Sequence, residues 1–168
     1  RQHDTALTGR AGLVYQFDNG LAPYLSYSES FNPVSGTDAQ GNAFEPETGT
    51  QYEVGVKYQP AGYNAFIAVS AFDLKRQNVT TEDPDNTNFN IQTGEVSSQG
   101  LEIEGKASLA TGLDLTASYA FVNAEVTKSN QADLGKAPNR VPKHAASLWA
   151  QYTPQDGTLE GWTFGLGA

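Results

Sequence analysis

The sequence contains no cysteine and only two histidines among its 168 residues. Without cysteine, the chain forms neither a disulfide framework nor a thiolate metal site. His3 and His144 are its only imidazoles, which leaves little for a zinc site or for a serine–histidine–aspartate triad. Composition therefore argues against zinc and triad enzymes.

Basic residues and long apolar runs are also scarce. Lysine and arginine number 10 against 19 aspartates and glutamates, so the formal net charge is −9. This balance argues against a nucleic-acid-binding domain, because the displacement of phosphate counterions needs a basic face. No stretch approaches the roughly 18 unbroken apolar residues of a transmembrane helix. The chain starts at Arg1 without a signal-like apolar region, and we expect a processed chain or a fragment about one domain long.

Turn residues and alternating patterns are abundant instead, with 17 glycines, 8 prolines, 8 tyrosines and 8 phenylalanines. Over residues 51–59, Tyr52, Val54, Val56 and Tyr58 alternate with polar residues and a glycine. A period of two places successive side chains on opposite faces of a strand. We predict an all-β antiparallel fold with eight strands, at about 6–17, 21–31, 50–59, 63–79, 91–109, 113–126, 141–153 and 160–168.

Short and long connections alternate along these strands. The short ones, 18–20, 60–62 and 110–112, end in glycine, which tolerates a positive φ. The long ones are polar and cover 32–49, 80–90 and 127–140. Antiparallel hairpins in this order place the short turns at one end of the sheet and the long loops at the other.

Three interpretations compete for this pattern: a soluble sandwich or lipocalin-like barrel, a transmembrane β-barrel, and an adhesive or structural sheet without a ligand. A transmembrane barrel needs strands of about 9–11 residues, short periplasmic turns and longer extracellular loops. Soluble strands usually have about 5–6 residues. Strand length and loop asymmetry together favour the transmembrane barrel.

The alternation also predicts which rows face lipid. One row is Tyr52, Val54, Val56 and Tyr58, and another covers Leu101, Ile103, Gly105, Ala107 and Leu109. The polar rows opposite them include Glu53, Lys57, Glu102, Glu104 and Lys106, which a wet lumen accepts. Aromatic residues near the strand ends predict interfacial girdles, namely Tyr15, Phe17, Tyr58, Tyr119, Phe121, Tyr152 and Trp162.

Four segments resemble the TonB-dependent outer-membrane receptors for ferric siderophores, especially the ferrichrome and hydroxamate type. Residues 24–33 read Tyr-Leu-Ser-Tyr-Ser-Glu-Ser-Phe-Asn-Pro, and residues 44–57 combine Phe-Glu-Pro-Glu-Thr with Tyr-Glu-Val-Gly-Val-Lys. Residues 93–104 resemble the Gly-x-x-x-Ser-x-Gly-x-Glu-x-Glu segment of that family. Val141-Pro142-Lys143-His144 leads into Leu148-Trp149 in a similar manner. The four segments follow the order found in the family.

This resemblance implies the later part of a barrel of 22 antiparallel strands that is closed by an N-terminal plug. Residues 1–168 are then a segment of the barrel domain, without the plug and without the last strands. The implied function is outer-membrane transport of ferric siderophores, energised by TonB through the plug. The implied partners are the siderophore, outer-membrane lipid and TonB. The resemblance implies that the segment is not an enzyme. It also implies no cofactor, because iron is carried as a siderophore chelate.

Two other functions remain open. One is a self-contained small outer-membrane barrel with a structural or adhesive role. The other is a soluble sugar-binding or hydrolytic β-domain. Pairing of the first strand with the last would indicate the closed small barrel, whereas two free edges would indicate a piece of a wider one.

No metal or catalytic site is predicted. An EF-hand beginning at Asp83 would need glycine and glutamate where Asn88 and Gly94 stand. Glu102 and Glu104 share a strand face and could form a carboxylate pair, but Lys106 continues their row and favours lumen lining. His144 lies where a loop enters a strand, with Ser147 nearby, and we interpret it as a rim histidine. The candidate ligand contacts are the aromatic residues on or beside the long loops, Phe31, Phe44 and Phe89, for which loop packing is the alternative.

Overall fold

The computed structural model describes residues 5–83, 85–138 and 141–168. His3, Pro84 and Arg140, which belong to predicted sites or loops, lie outside the described residues. The strands are β1 Arg10–Val14, β2 Leu21–Asn32, β3 Glu47–Tyr58, β4 Ala65–Glu82, β5 Asn90–Ala110, β6 Leu113–Lys128, β7 His144–Tyr152 and β8 Phe164–Gly167, with a short 3-10 helix at Gly157–Leu159 between β7 and β8. In these ranges no helix is long and apolar enough to cross a membrane.

The eight strands form one antiparallel sheet whose spatial order is the order along the chain. This confirms the predicted all-β fold. In the described part of the chain β1 and β8 occupy the two edges and the sheet is open, so it is not a closed eight-stranded barrel. Both edge strands are shorter than predicted, because each has a neighbour on one side only.

Glycine terminates the three predicted short turns. Gly20, Gly62 and Gly112 have φ values of 87°, 80° and 78°. At Gly20 and Gly112 the backbone of the next hairpin approaches closely, since the carbonyls of these glycines accept hydrogen bonds from Gln59 N and Thr153 N. A side chain would collide there with the carbonyl of Gln59 or Thr153. The connection from β7 to β8 is longer than the others at this end and covers residues 153–163.

The register places the predicted lipid-facing rows on one face of the sheet. Val56 lies opposite Val69, Val69 opposite Ile103, and Ile103 opposite Tyr119. Tyr52 and Val54 on this face are each 60% exposed. The buried hydrophobic residues of the described chain are few, namely Ala22, Phe44, Ala124 and Val126. The sheet thus exposes its apolar side, here called the apolar face, as a lipid-facing wall does.

Aromatic residues mark both borders of the apolar face. Those near the short turns are Tyr58, Tyr152 and Phe164, with Tyr15, Phe17 and Trp162 just outside the strands. Those at the other border are Tyr27, Tyr52, Tyr119 and Phe121. On β7 Tyr152 and His144, at the far border, lie eight positions apart, which corresponds to about 27 Å along the strand at roughly 3.4 Å per residue. The nine residues of β7 match the roughly 9–11 that a tilted membrane-spanning strand needs.

Beyond this band β4, β5 and β6 continue as a three-stranded extension, formed by residues 72–82, 90–100 and 122–128 and here called the arm. Three register shifts interrupt it. The pairing of β4 with β5 shifts between Arg76 and Val79, where Asn78 has a φ of 59°, and again between Val79 and Thr81. The pairing of β5 with β6 shifts so that Glu95 lies opposite Lys128 and Val96 opposite Val126, which leaves Thr127 as the extra residue of a β-bulge.

Candidate functional site: the polar face and its mouth

The face opposite the apolar face carries the predicted ladder of charged residues and is called the polar face. Lys57 and Glu104 lie on either side of Ala68 in one row, which continues to Ser118 and Ser147. The hydroxyls of these two serines are 2.8 Å apart. Side chains alternate between the two faces along each strand. The predicted lumen residues Glu53, Glu102 and Lys106 therefore lie on this face as well.

Aromatic rings on the polar face lie flat across glycines of the adjacent strand. A Cβ at Gly55 would be 2.6 Å from the Tyr24 ring, and a Cβ at Gly100 would be 2.5 Å from the Phe72 ring. Trp149 covers Gly165 and Gly167 in the same manner. Such a cross-strand pair lets a large ring pack on bare backbone. The rings therefore line the wall without standing upright from it, and the Tyr24 hydroxyl donates to Glu53 at 2.5 Å.

At the short-turn end the polar face holds a cavity of about 580 Å³. Its charged lining residues are Lys106 and Asp114, with Trp149 and Gln151 beside them. Ser108 donates to Asp114 at 2.5 Å and accepts from the Asn64 amide at 2.6 Å. This end offers a polar surface for another part of the protein to contact.

At the opposite end a second cavity, of about 540 Å³, opens between the arm and the loop from β6 to β7. This cavity is called the mouth cleft, and its lining includes Arg76, Glu82, Glu95, Val96, Val126, Lys128, Gln131 and Asp133. Arg76, Val96 and Val126 face each other across three strands on the polar face. Gln131 reaches across from the loop and donates to Glu82 at 3.4 Å. The loop is itself tied to β6, since Gly135 N donates to the Val126 carbonyl.

The loop from β2 to β3 is fixed to the arm by side-chain amides. The Gln92 side chain accepts from Glu45 N at 2.6 Å and donates to the Glu45 carbonyl at 2.5 Å. Asn78, at the bulge of β4, donates to the Pro46 carbonyl at 3.1 Å. Below them Arg76 forms an ion pair with Glu47 at 2.6 Å. The predicted loops 32–49 and 127–140 thus both contact the arm, and the predicted loop 80–90 forms its tip.

A buried carboxylate joins the three strands of the arm on the side of the apolar face, outside the membrane band. Glu95 is 7% exposed and forms ion pairs with Lys75 at 3.1 Å and Lys128 at 3.0 Å. Thr127 and Gln77 also donate to it, at 2.9 and 3.2 Å. Burial by itself raises the pKa of Glu95, but these four donors outweigh that effect and lower the pKa to about 2. We call these five residues the Glu95 cluster.

The predicted aromatic ligand contacts lie in three separate places. Phe44 is 8% exposed and packs against Gly36 inside its own loop. Phe31 lies four positions after Tyr27 on β2, and so on the same, apolar side, beyond the band. Phe89 is exposed at the tip between β4 and β5. None of the three lines the mouth cleft as the described residues form it, and their ligand role stays a prediction.

The other predicted positions have structural roles. Asp83 accepts from the backbone N–H groups of Asp85 and Asn86 at 2.9 and 3.2 Å, which makes it the anchor of a turn. His144 Nδ1 lies 2.9 Å from the Tyr119 hydroxyl at the upper border of the apolar face. Ser147 faces the other side of the strand, toward Ser118, so the two do not form a nucleophile and base. Among described residues no three acidic or histidine side chains are grouped to hold a metal ion.

Sequence reasoning did not identify Arg76 as a site residue. The pattern contained a usable signal, because strict alternation along β4 places Arg76 on the face of Phe72 and Leu74, beyond the last apolar residue of the opposite row. The partner that holds Arg76, Glu47, is 29 residues away in the sequence. That pairing follows from the register of β3 with β4.

Comparison with known proteins agrees with this architecture. A family described as TonB dependent receptor-like, beta-barrel, matches residues 1–168. The chain belongs to this family of TonB-dependent receptor β-barrels. It is 43% identical over 167 residues to the ferrichrome outer membrane transporter/phage receptor of Escherichia coli K12, with 99% of this chain and 22% of that protein covered. It is 40% identical over 159 residues to the ferrioxamine B receptor of Salmonella typhimurium SL1344, with 94% and 22% covered.

Solved structures show the same fold. The ferripyoverdine receptor of the Pseudomonas aeruginosa outer membrane matches with a TM-score of 0.77 at 24% identity, over 95% of this chain and 22% of that one. The chain thus spans about a fifth of the length of the relatives it matches. As a member of the TonB-dependent receptor family the chain belongs to the bacterial outer membrane. In such barrels the short turns face the periplasm and the long loops face the exterior.

Proposed function

We propose that the protein containing this segment imports ferric siderophores across the outer membrane with energy supplied through TonB. The observation that carries the proposal is the 43% identity to a ferrichrome transporter along nearly the whole segment. The ferrioxamine B receptor supports the same ligand class at 40% identity. In this proposal residues 1–168 supply wall, lumen lining and three extracellular loops of the barrel domain.

In the proposed mechanism the chelate binds at the cell surface, and a plug domain encoded elsewhere in the protein then rearranges when TonB pulls on it. The carboxylates of the polar face, among them Glu53, Glu102 and Glu104, face the space that the plug fills and contact it. The segment performs no covalent chemistry and holds no cofactor. Iron is cargo, and the siderophore rather than the protein coordinates it.

Aromatic side chains on the outer loops are proposed to contact the chelate. Phe89 is the best placed of the three candidates, because it is exposed at the tip of the arm. Phe31 is exposed as well, but it lies on the outward side of β2. Phe44 would become available only if its loop left the Gln92 amide.

The test uses the complete reading frame that contains this segment, expressed in a bacterium without hydroxamate siderophore receptors of its own. We expect uptake of radioactive iron supplied as ferrichrome or ferrioxamine B, and loss of that uptake in a strain without TonB. The proposal fails if the reading frame encodes no plug, or if neither chelate is transported. Equal uptake with and without TonB would refute the energy coupling.

A further inference from the structure

Arg76 combines three properties in the mouth cleft. It lies on the polar face just beyond the membrane band, its side chain is 48% exposed, and it lines a cavity of about 540 Å³. The cavity is bounded by two long loops that reach the cell exterior, the loop with Gln131 and the tip after Glu82. A ligand that enters the barrel from outside meets this guanidinium before the rest of the polar face.

The guanidinium is held in place but is not saturated. Its Nη2 donates to Glu47 at 2.6 Å, and within the described ranges no other acceptor engages it. A guanidinium carries five N–H donors in a rigid fork. Because Glu47 is 14% exposed and fixes one edge of that fork, the remaining donors are oriented before a ligand arrives, which lowers the entropic cost of binding.

The charges around the cleft restrict the ligand that Arg76 can accept. Among the lining residues Arg76 and Lys128 are positive, and Glu82, Glu95 and Asp133 are negative. A polyanionic chelate would therefore meet a site without a positive excess. In an iron(III) trihydroxamate the three ligand charges cancel the charge of the metal, and the outward oxygens remain hydrogen-bond acceptors. Val96, which is half-buried in the cleft lining, supplies apolar surface for the carbon chains of such a ligand.

We infer that the mouth cleft is a contact site for an uncharged ferric trihydroxamate, in which the free donors of Arg76 bond to oxygens of the chelate and Glu47 positions Arg76. The inference rests on the proposed siderophore transport and adds a specificity residue, Arg76, to it. Arg76 touches the ligand, whereas Glu47 acts through Arg76.

The experiment measures binding and uptake of ferrichrome by the complete receptor and by three variants. Arg76→Gln removes the charge and the fork, and we expect its Kd to rise about tenfold or more, as for a lost hydrogen bond to a charged group. Glu47→Gln leaves the donors but loosens them, and a rise of about threefold is expected. Lys75→Gln is the matched control, because Lys75 precedes Arg76 on the same strand but faces Glu95 on the other side. Its Kd should stay unchanged.

A second readout separates ligand contact from damage to the fold. With Arg76→Gln the uptake rate at saturating ferrichrome should equal that of the wild type, with only KM raised. If Arg76→Gln binds as tightly as Lys75→Gln, the inference is wrong. It is also wrong if both Arg76→Gln and Glu47→Gln reduce the saturated uptake rate as strongly as they reduce affinity. The ion pair would then act only on the fold. A wild-type receptor that binds neither ferrichrome nor ferrioxamine B would refute the proposed function together with this inference.

Discussion

The same three strands, β4, β5 and β6, are stabilised differently inside the membrane band and in the arm. Inside the band the side chains of the apolar face are exposed to the surroundings, and on the opposite face of the neighbouring strands β2 and β3 the Tyr24 ring lies across Gly55. In the arm the stabilising contacts are ion pairs and amide hydrogen bonds, among them Glu95 with two lysines and Gln92 with Glu45. The band thus depends on lipid, and the arm depends on specific polar partners.

This difference explains how one sheet can pass from lipid into water. Inside the band β4, β5 and β6 each have a paired strand on both sides, which satisfies backbone groups for which lipid offers no alternative partner. The arm leaves the barrel wall and lacks both lipid and the neighbours β3 and β7 along part of its length. Buried polar contacts between distant residues replace them there.

The largest effect is expected when a lysine is placed on the apolar face of β6, once inside the band and once beyond it. Ala117→Lys lies in the middle of the band and should lower the free energy of unfolding by about 2–4 kcal/mol, because the charge enters hydrocarbon. Asn123→Lys lies on the same face of the same strand, beyond Phe121, and should cost about 0–1 kcal/mol. Urea unfolding of the receptor in lipid vesicles measures both. Equal costs would mean that the band does not end near Phe121.

The second test removes the charge at the centre of the Glu95 cluster. A pKa lowered from 4.5 to about 2 corresponds to roughly 3 kcal/mol. We expect Glu95→Gln to lower the free energy of unfolding by about 2 kcal/mol rather than roughly 3, because solvent screens the exposed lysine partners of Glu95. Glu125→Gln, on the same side of the arm and exposed, should have almost no effect.

The pH dependence follows from the direction of that shift. A carboxylate whose pKa is lower in the folded state stabilises the fold above its unfolded pKa and loses this effect as the pH falls. The stability difference between wild type and Glu95→Gln should therefore be constant from neutral pH to about 5 and shrink between about 4.5 and 2. Thermal unfolding in detergent at a series of pH values checks it. A difference that vanishes already at pH 6 would contradict the assignment.

The smallest expected effect concerns the rings that cover glycines. Gly55→Ala places a Cβ 2.6 Å from the Tyr24 ring, so the ring must shift and its hydroxyl leaves Glu53, at a cost of about 1–2 kcal/mol. Gly105→Ala is the matched control, because the nearest atom to its Cβ, the Phe66 carbonyl oxygen, is 3.9 Å away. That change should be neutral or stabilise by up to about 1 kcal/mol. The same urea titration distinguishes the two, and equal effects would show that the ring contact contributes nothing.

The band could be predicted from the sequence, whereas most of the arm could not. Alternation from Tyr52 to Tyr58 predicts the band and its two faces, because a strand in contact with lipid must keep a period of two. The glycines at 20, 62 and 112 predict the turns. In the arm the period breaks at Asn78 and Thr127, and the burial of Phe44 depends on a loop anchored by Gln92, 47 residues from Glu45. Contacts at that separation have no local signature.

The Gln92 amide has one more consequence, for how such a receptor diversifies. By accepting from Glu45 N and donating to the Glu45 carbonyl, this side chain reproduces the hydrogen-bonding pattern of a β-ladder residue. The loop from β2 to β3 is thereby joined to the arm through main-chain atoms, which every amino acid except proline supplies. Loop sequences can then be exchanged during evolution while their attachment point is inherited unchanged, provided that position 92 keeps its glutamine.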